Sequence, residues 1–99
     1  MEKKDFEEKI GKAFSVSFEG DIVKLTLEKV EPLKRVKGAE HVKNLRQDPF
    51  SLVFVGPEDI YLPDNTYTMS AEGWEDKQIF ISALKQENDA GLFYDALFT

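Results

Sequence analysis

Hydrophobic and polar residues alternate in several short segments of this chain, and that alternation constrains its fold more than any other feature. In residues 14–18 and 23–27 every second residue is Phe, Val or Leu, and the positions between them are mostly polar. Residues 19–21 separate the two segments and contain Gly20. Two alternating runs across a tight glycine turn predict a β-hairpin.

Four further segments have the composition of strands. They are residues 50–55, 66–71, 78–83 and 92–98, separated by stretches rich in Gly, Pro, Asp and Asn. In the first, Phe50, Leu52 and Phe54 alternate with Ser51, Val53 and Val55, so both faces of this strand are expected to be partly covered. Six short strands predict an all-β fold, an antiparallel barrel or sandwich.

Residues 3–12 predict a short N-terminal helix that covers one open end or edge of the sheet. Phe6 and Ile10 are four residues apart and share one helix face, and Gly11 is a suitable stop. At 99 residues the chain is interpreted as a single domain, residues 1–99, with the helix in residues 3–12 and the sheet in residues 13–99.

The connection over residues 31–48 is long for a compact domain and is locally basic. Long loops on rigid scaffolds often carry binding function, and an ordinary excursion of the chain fits equally well. If this connection binds a partner or nucleic acid, the candidate contacts are Lys34, Arg35, Lys37, Lys43 and Arg46.

Charge argues against nucleic acid as a general partner. The chain has 19 acidic and 13 basic residues, for a net charge of −6, and an acidic protein repels phosphate backbones. The N-terminus shows no secretory signal, and no apolar run approaches the roughly 18 residues that a membrane-spanning helix needs. The absence of cysteine fits the reducing cytoplasm, so we predict a cytoplasmic protein with no membrane partner.

No catalytic constellation is recognisable. His41 is the only histidine, and neither a nucleophile elbow nor a cysteine accompanies it. The six glycines are scattered among predicted turns and do not cluster as in a phosphate-binding loop. We therefore predict a protein that is not an enzyme, with no catalytic residues, no cofactor and no metal.

Two aromatic residues in acidic segments are candidate ligand contacts. Tyr61 lies between Asp59 and Asp64, and Trp74 is surrounded by acids. Together they predict, as one alternative, the mouth of a small-molecule or sugar-binding barrel. The other interpretation, which we favour, is that Trp74 folds back as a lid over one end of the barrel.

The chain resembles a group of small, functionally uncharacterised bacterial proteins. Residues 50–56 match their Phe-Ser-Leu-x-Phe-x-Gly strand, residues 67–68 their Tyr-Thr pair, and Tyr94, Ala96 and Phe98 their closing strand. The likeness covers residues 10–99, although residues 79–83 lack the proline of the family's penultimate strand. It implies a cytoplasmic or phage-tail-associated accessory protein and supplies no catalytic residues.

These observations favour a non-enzymatic protein-binding or assembly module, whose partner is another copy of the chain or a different protein. Free edges on the strand at Phe50 and on the C-terminal strand are expected to serve that pairing. The alternative is the small-molecule or sugar-binding barrel with Tyr61 and Trp74 at its mouth.

Overall fold

The structure is a computed structural model that describes residues 2–33, 49–84 and 91–98. It contains one short helix and six strands. These are α1 (Lys3–Glu7), β1 (Ala13–Phe18), β2 (Asp21–Pro32), β3 (Phe50–Gly56), β4 (Asn65–Ser70), β5 (Lys77–Leu84) and β6 (Leu92–Phe98).

The six strands form a closed antiparallel barrel in the order β1-β2-β3-β6-β5-β4. The ladder between β3 and β6 is continuous from the pair Phe50–Phe98 to the pair Gly56–Leu92. The contact that closes the barrel, between β1 and β4, has only two residue pairs, Ser15–Ser70 and Val16–Met69. The all-β prediction with a short N-terminal helix is therefore confirmed, and its barrel alternative is the correct one.

The hairpin between β1 and β2 follows from the residues of its turn. Glu19 and Gly20 have φ angles of 49° and 85°, the left-handed values that a two-residue turn requires when it matches the twist of its strands. The pair Phe18–Asp21 closes the turn. The predicted hairpin is confirmed with its turn in the expected place.

The barrel is filled by the alternate side chains that the sequence pattern marked. Phe50, Leu52 and Phe54 of β3 are fully buried, while the residues between them are half-buried. Both faces of this strand are thus partly covered, as expected. The core contains sixteen buried hydrophobic residues and no buried polar or charged ones among the residues described.

The helix is shorter than the predicted residues 3–12. After Glu7 the chain turns, and Gly11, with a φ of 85°, donates its N–H to the carbonyl of Leu27 at 2.7 Å. The carbonyl of Lys12 accepts the N–H of Leu27 at 3.1 Å. These hydrogen bonds to β2 replace a further helical turn, because the backbone groups of this segment are already satisfied.

Two other expectations need correction. The long connection does not begin at residue 31, because β2 continues through Glu31 and Pro32, which pair with Ser51 and Phe50. The proposed free edges are also wrong, since β3 pairs with β2 and β6, and β6 pairs with β3 and β5. Closing the sheet into a barrel gives each of these strands two neighbours.

Candidate functional site

One end of the barrel is covered by α1 and by the turn between β4 and β5. Phe6 is fully buried and lies 5.1 Å from the Trp74 ring in an edge-to-face arrangement. Trp74 also meets Phe14 edge to face at 5.5 Å. The indole is half-buried against the core, so its packing agrees with the interpretation of Trp74 as a lid.

The opposite end is covered by the connection between β3 and β4, residues 57–64. Leu62 of this segment is fully buried. The Tyr94 hydroxyl accepts a hydrogen bond from the Leu62 N–H at 3.0 Å, and the Tyr67 hydroxyl donates one to the Pro63 carbonyl at 2.6 Å. Burial raises the pKa of both tyrosines. Both hydroxyls therefore stay protonated at neutral pH and hold the loop across the barrel end.

Tyr61 and Trp74 do not form a common mouth. Tyr61 precedes β4 and Trp74 follows it, so the six residues of that strand place them at opposite ends of the barrel. Tyr61 is 58% exposed, whereas Trp74 packs against Phe6 and Phe14. The sugar-binding mouth predicted from these two residues and their acidic neighbours is therefore wrong.

The outside of the barrel carries an apolar surface that the sequence interpretation missed. Phe80 in β5 is 56% exposed and Leu97 in β6 is 61% exposed. Both lie at positions between inward-facing residues, so their side chains point away from the core. Four neighbouring positions also hold apolar residues at this surface, which we call the outer apolar face: Val53, Val55, Phe80, Leu84, Phe93 and Leu97.

Strand register brings these residues together. Phe93 pairs with Val55 on one side and with Leu84 on the other. The β5–β6 ladder ends at the pair Ser82–Asp95, and continuing its register by two residues brings Phe80 to the level of Leu97. The sequence does contain a signal for this surface. Apolar residues occupy positions 80 and 97, where the alternation of β5 and β6 predicts polar residues.

A carboxylate lies within the outer apolar face. Asp95 pairs with Val53 and with Ser82 and is half-buried. Desolvation raises the pKa of Asp95, the negative charge of Asp64 raises it further, and a hydrogen bond from its own backbone N–H opposes both effects. Asp64 accepts a hydrogen bond from the Ala83 N–H at 2.8 Å. Within residues 2–33, 49–84 and 91–98 the one ion pair joins Lys29 to Glu31, so neither aspartate has a cationic partner there.

Other predicted candidates lie outside the described residues. These are the basic residues of the long connection, Lys34, Arg35, Lys37, Lys43 and Arg46. In the part of the chain that the structure describes, no three acidic or histidine side chains converge as a metal site would require. Among the same residues, no helix has the length and apolar character to cross a membrane.

The family model for a Domain of unknown function (DUF6916) matches residues 1–98. The chain belongs to this family. The match confirms that the chain belongs to an uncharacterised protein family, while the bacterial origin and the specific motifs of the resemblance stay predictions from the sequence. Neither the curated proteins nor the solved structures contain a significant match to this chain.

Proposed function

We propose that the chain is a non-enzymatic, cytoplasmic protein-binding module that contacts its partner through the outer apolar face. The observation that carries this proposal is the exposure of Phe80 and Leu97, at 56% and 61%, on neighbouring strands of one surface. Contiguous apolar surface of this kind is typical of protein interaction sites, whereas isolated exposed hydrophobic residues are common everywhere.

Covering this surface contributes favourably to the free energy of binding. Fully burying a Leu or Phe side chain contributes about 1.5–3 kcal/mol, and Phe80 and Leu97 are each more than half exposed. Phe93 and Val55 are half-buried and extend the same surface across two strands. Because these residues lie on hydrogen-bonded strands of a closed barrel, the backbone is expected to lose little conformational entropy on binding.

Asp95 within the face, together with the nearby Asp64, indicates the chemistry of the partner. Asp95 lies among apolar side chains and Asp64 raises its pKa, so a basic group placed between them gains two favourable interactions. We propose a partner surface that is apolar around a central Lys or Arg. A second copy of this chain fits less well, because a two-fold contact through this face supplies further Asp95 and Asp64 carboxylates and no basic group from the same face.

The proposal takes its more specific form from the sequence resemblance. That resemblance suggests an accessory protein of a phage-tail-like particle. The apolar face supports protein binding in general, and the identity of the particle rests on the resemblance alone.

The test compares wild-type protein with Phe80→Ser/Leu97→Ser and with the control Ile22→Ser. Ile22 is 64% exposed on the β1–β2 hairpin, outside the outer apolar face. Each protein is immobilised and incubated with lysate of the source organism, and the retained proteins are quantified by mass spectrometry. Circular dichroism and urea unfolding confirm that every protein compared, including Asp95→Lys, is folded.

We expect at least one protein to be retained in stoichiometric amount by wild type and Ile22→Ser, and to be lost with the double variant. Charge reversal by Asp95→Lys should also abolish this retention. Retention that is equal for all variants, or that disappears with Ile22→Ser as well, contradicts the outer apolar face as the binding surface.

A further inference from the structure

A second surface feature, separate from the outer apolar face, is an open groove of about 700 Å³ beside the contact between β1 and β4. Its polar lining residues are Lys9, Lys12, Ser15, Lys24, Ser70 and Glu72. Three lysines thus line one groove together with a single acidic residue, although acidic residues outnumber basic ones 19 to 13 in the whole chain.

Strand pairing explains why these side chains converge. Ser15 pairs with Lys24 of β2 on one side and with Ser70 of β4 on the other, so the three residues form a row across the barrel surface. The β1–β4 ladder ends at the pair Ser15–Ser70. The groove lies at this end of the ladder, where Lys9 and Lys12 enter from the segment that precedes β1.

One of the ammonium groups is already held in place. Lys9 Nζ donates a hydrogen bond to the Glu72 carbonyl at 2.6 Å and lies 5.8 Å from the centre of the Trp74 ring. An ammonium has three N–H donors, so two remain for a ligand. Because Lys9 is already held in place, less conformational entropy is lost when a ligand binds.

The other lining groups differ in their availability. Among the described residues Lys12 and Lys24 have no carboxylate within ion-pair distance, since Lys29 and Glu31 form the one ion pair. The Ser70 hydroxyl donates to Asp76 at 2.9 Å and is engaged. The donors available to a ligand are therefore the three lysines and the Ser15 hydroxyl.

We propose that this groove binds a small polyanion, a molecule-sized ligand with at least two phosphate or carboxylate groups. Its volume lies within the range of small-molecule sites, roughly 300–1,000 Å³. Three lysines at one groove favour a ligand with more than one anionic group, because the attraction grows with the charge of the ligand and must exceed the repulsion from Glu72. Ammonium groups bind both oxyanions as point charges, so the shared chemistry is the multiple negative charge.

The test titrates two small anions, tripolyphosphate and citrate, and the acidic peptide hexaglutamate, each separately, into the full-length protein at low ionic strength. Amide chemical shifts locate the binding site, and Ser15 and Ser70 report on the groove. The groove variant is Lys12→Gln/Lys24→Gln. The control variant, Lys4→Gln/Lys29→Gln, changes the net charge equally and alters no residue that lines the groove.

We expect one of the two anions to shift the groove amides saturably, with the groove variant weakening its affinity about tenfold or more and the control changing it little. Preference for tripolyphosphate indicates a phosphorylated ligand, and preference for citrate indicates a polycarboxylate. The proposal is overturned if neither anion binds, or if both variants weaken binding equally. Binding of hexaglutamate alone also overturns it, in favour of an acidic protein segment.

Discussion

At the scale of single residues, Tyr94 shows how a polar group is accommodated in an apolar barrel. Its side chain is fully buried, yet its hydroxyl accepts the N–H of Leu62 at 3.0 Å and lies 3.5 Å from the Ile60 carbonyl. The residue thus contributes to the core and also fixes the loop that covers the barrel end.

Tyr94→Phe should lower the free energy of unfolding by about 1–3 kcal/mol, because it leaves the buried Leu62 N–H without an acceptor. Urea denaturation of wild type and variant measures this change. The matched control is Tyr61→Phe, whose ring is 58% exposed, and its effect should stay within about 0.5 kcal/mol. Equal stabilities of Tyr94→Phe and wild type would show that the hydroxyl does not hold the loop.

Asp95 should make stability depend on pH. Its pKa is raised above 3.8 in the folded protein, so the folded state holds the proton more tightly than the unfolded chain. The stability it contributes is fully present below pH 3.8 and is lost as the pH rises through the folded-state pKa. Asp95→Asn should therefore be more stable than wild type at pH 7, and the difference should vanish at pH 3.

Urea denaturation at the two pH values measures this effect. The control is Asp59→Asn, which alters an exposed acid, and its stability gain at pH 7 should be smaller. A gain for Asp95→Asn that is the same at pH 3 and pH 7 would contradict desolvation of the Asp95 carboxylate as its cause.

At the scale of elements, the short helix α1 acts mainly through one side chain. Phe6 packs against Trp74 and also contacts Phe50 and Phe98, with ring centroids 5.7 and 5.3 Å away. A five-residue helix is not stable alone, so these contacts hold it on the barrel.

Phe6→Ala should cost about 3–5 kcal/mol of unfolding free energy, because it removes a fully buried ring from the barrel end. Trp74 is the only tryptophan, so its fluorescence should also shift to longer wavelength in the folded variant. Ile10→Ala is the control: Ile10 is 47% exposed, and its loss should cost about 0.5 kcal/mol or less. An unshifted emission in folded Phe6→Ala would contradict the proposed packing of the lid.

Two glycines beside different strands differ in the space available for a side chain. Gly20 and Gly91 both have positive φ angles, 85° and 116°, but a Cβ on Gly20 meets nothing within 4 Å. A Cβ on Gly91 lies 2.7 Å from the Gly56 carbonyl oxygen. Gly20→Ala should cost about 1–2 kcal/mol from its backbone angle. Gly91→Ala should cost more, and equal thermal unfolding midpoints for the two variants would exclude this clash.

At the scale of the whole molecule, the sequence predicts the strands well and their closure poorly. Alternation placed Phe14, Val16 and the other core residues correctly because inward burial depends on local pattern. Closure depends on long-range pairing such as Ser15 with Ser70, which no local pattern encodes. The predicted free edges and the Tyr61–Trp74 mouth were wrong for the same reason.

The outer apolar face shows most clearly what the sequence alone does not predict. Phe80 and Leu97 are far apart in the sequence, and each alone resembles an ordinary apolar strand residue. They become one surface only through the neighbouring positions of β5 and β6 in the barrel. The lysine groove likewise requires the β1–β4 contact before Lys24 and Ser70 face the same space.

The most direct test of protein binding through the outer apolar face is amide hydrogen exchange, read by mass spectrometry. The chain is measured alone and with the most abundant protein that wild type retains and Phe80→Ser/Leu97→Ser does not. We predict slower exchange on complex formation in β5 and β6, with little change in residues 57–64 and around Trp74. Slower exchange only in residues 57–64 and around Trp74 would contradict binding through the outer apolar face. So would the absence of any protein that wild type retains and the double variant does not.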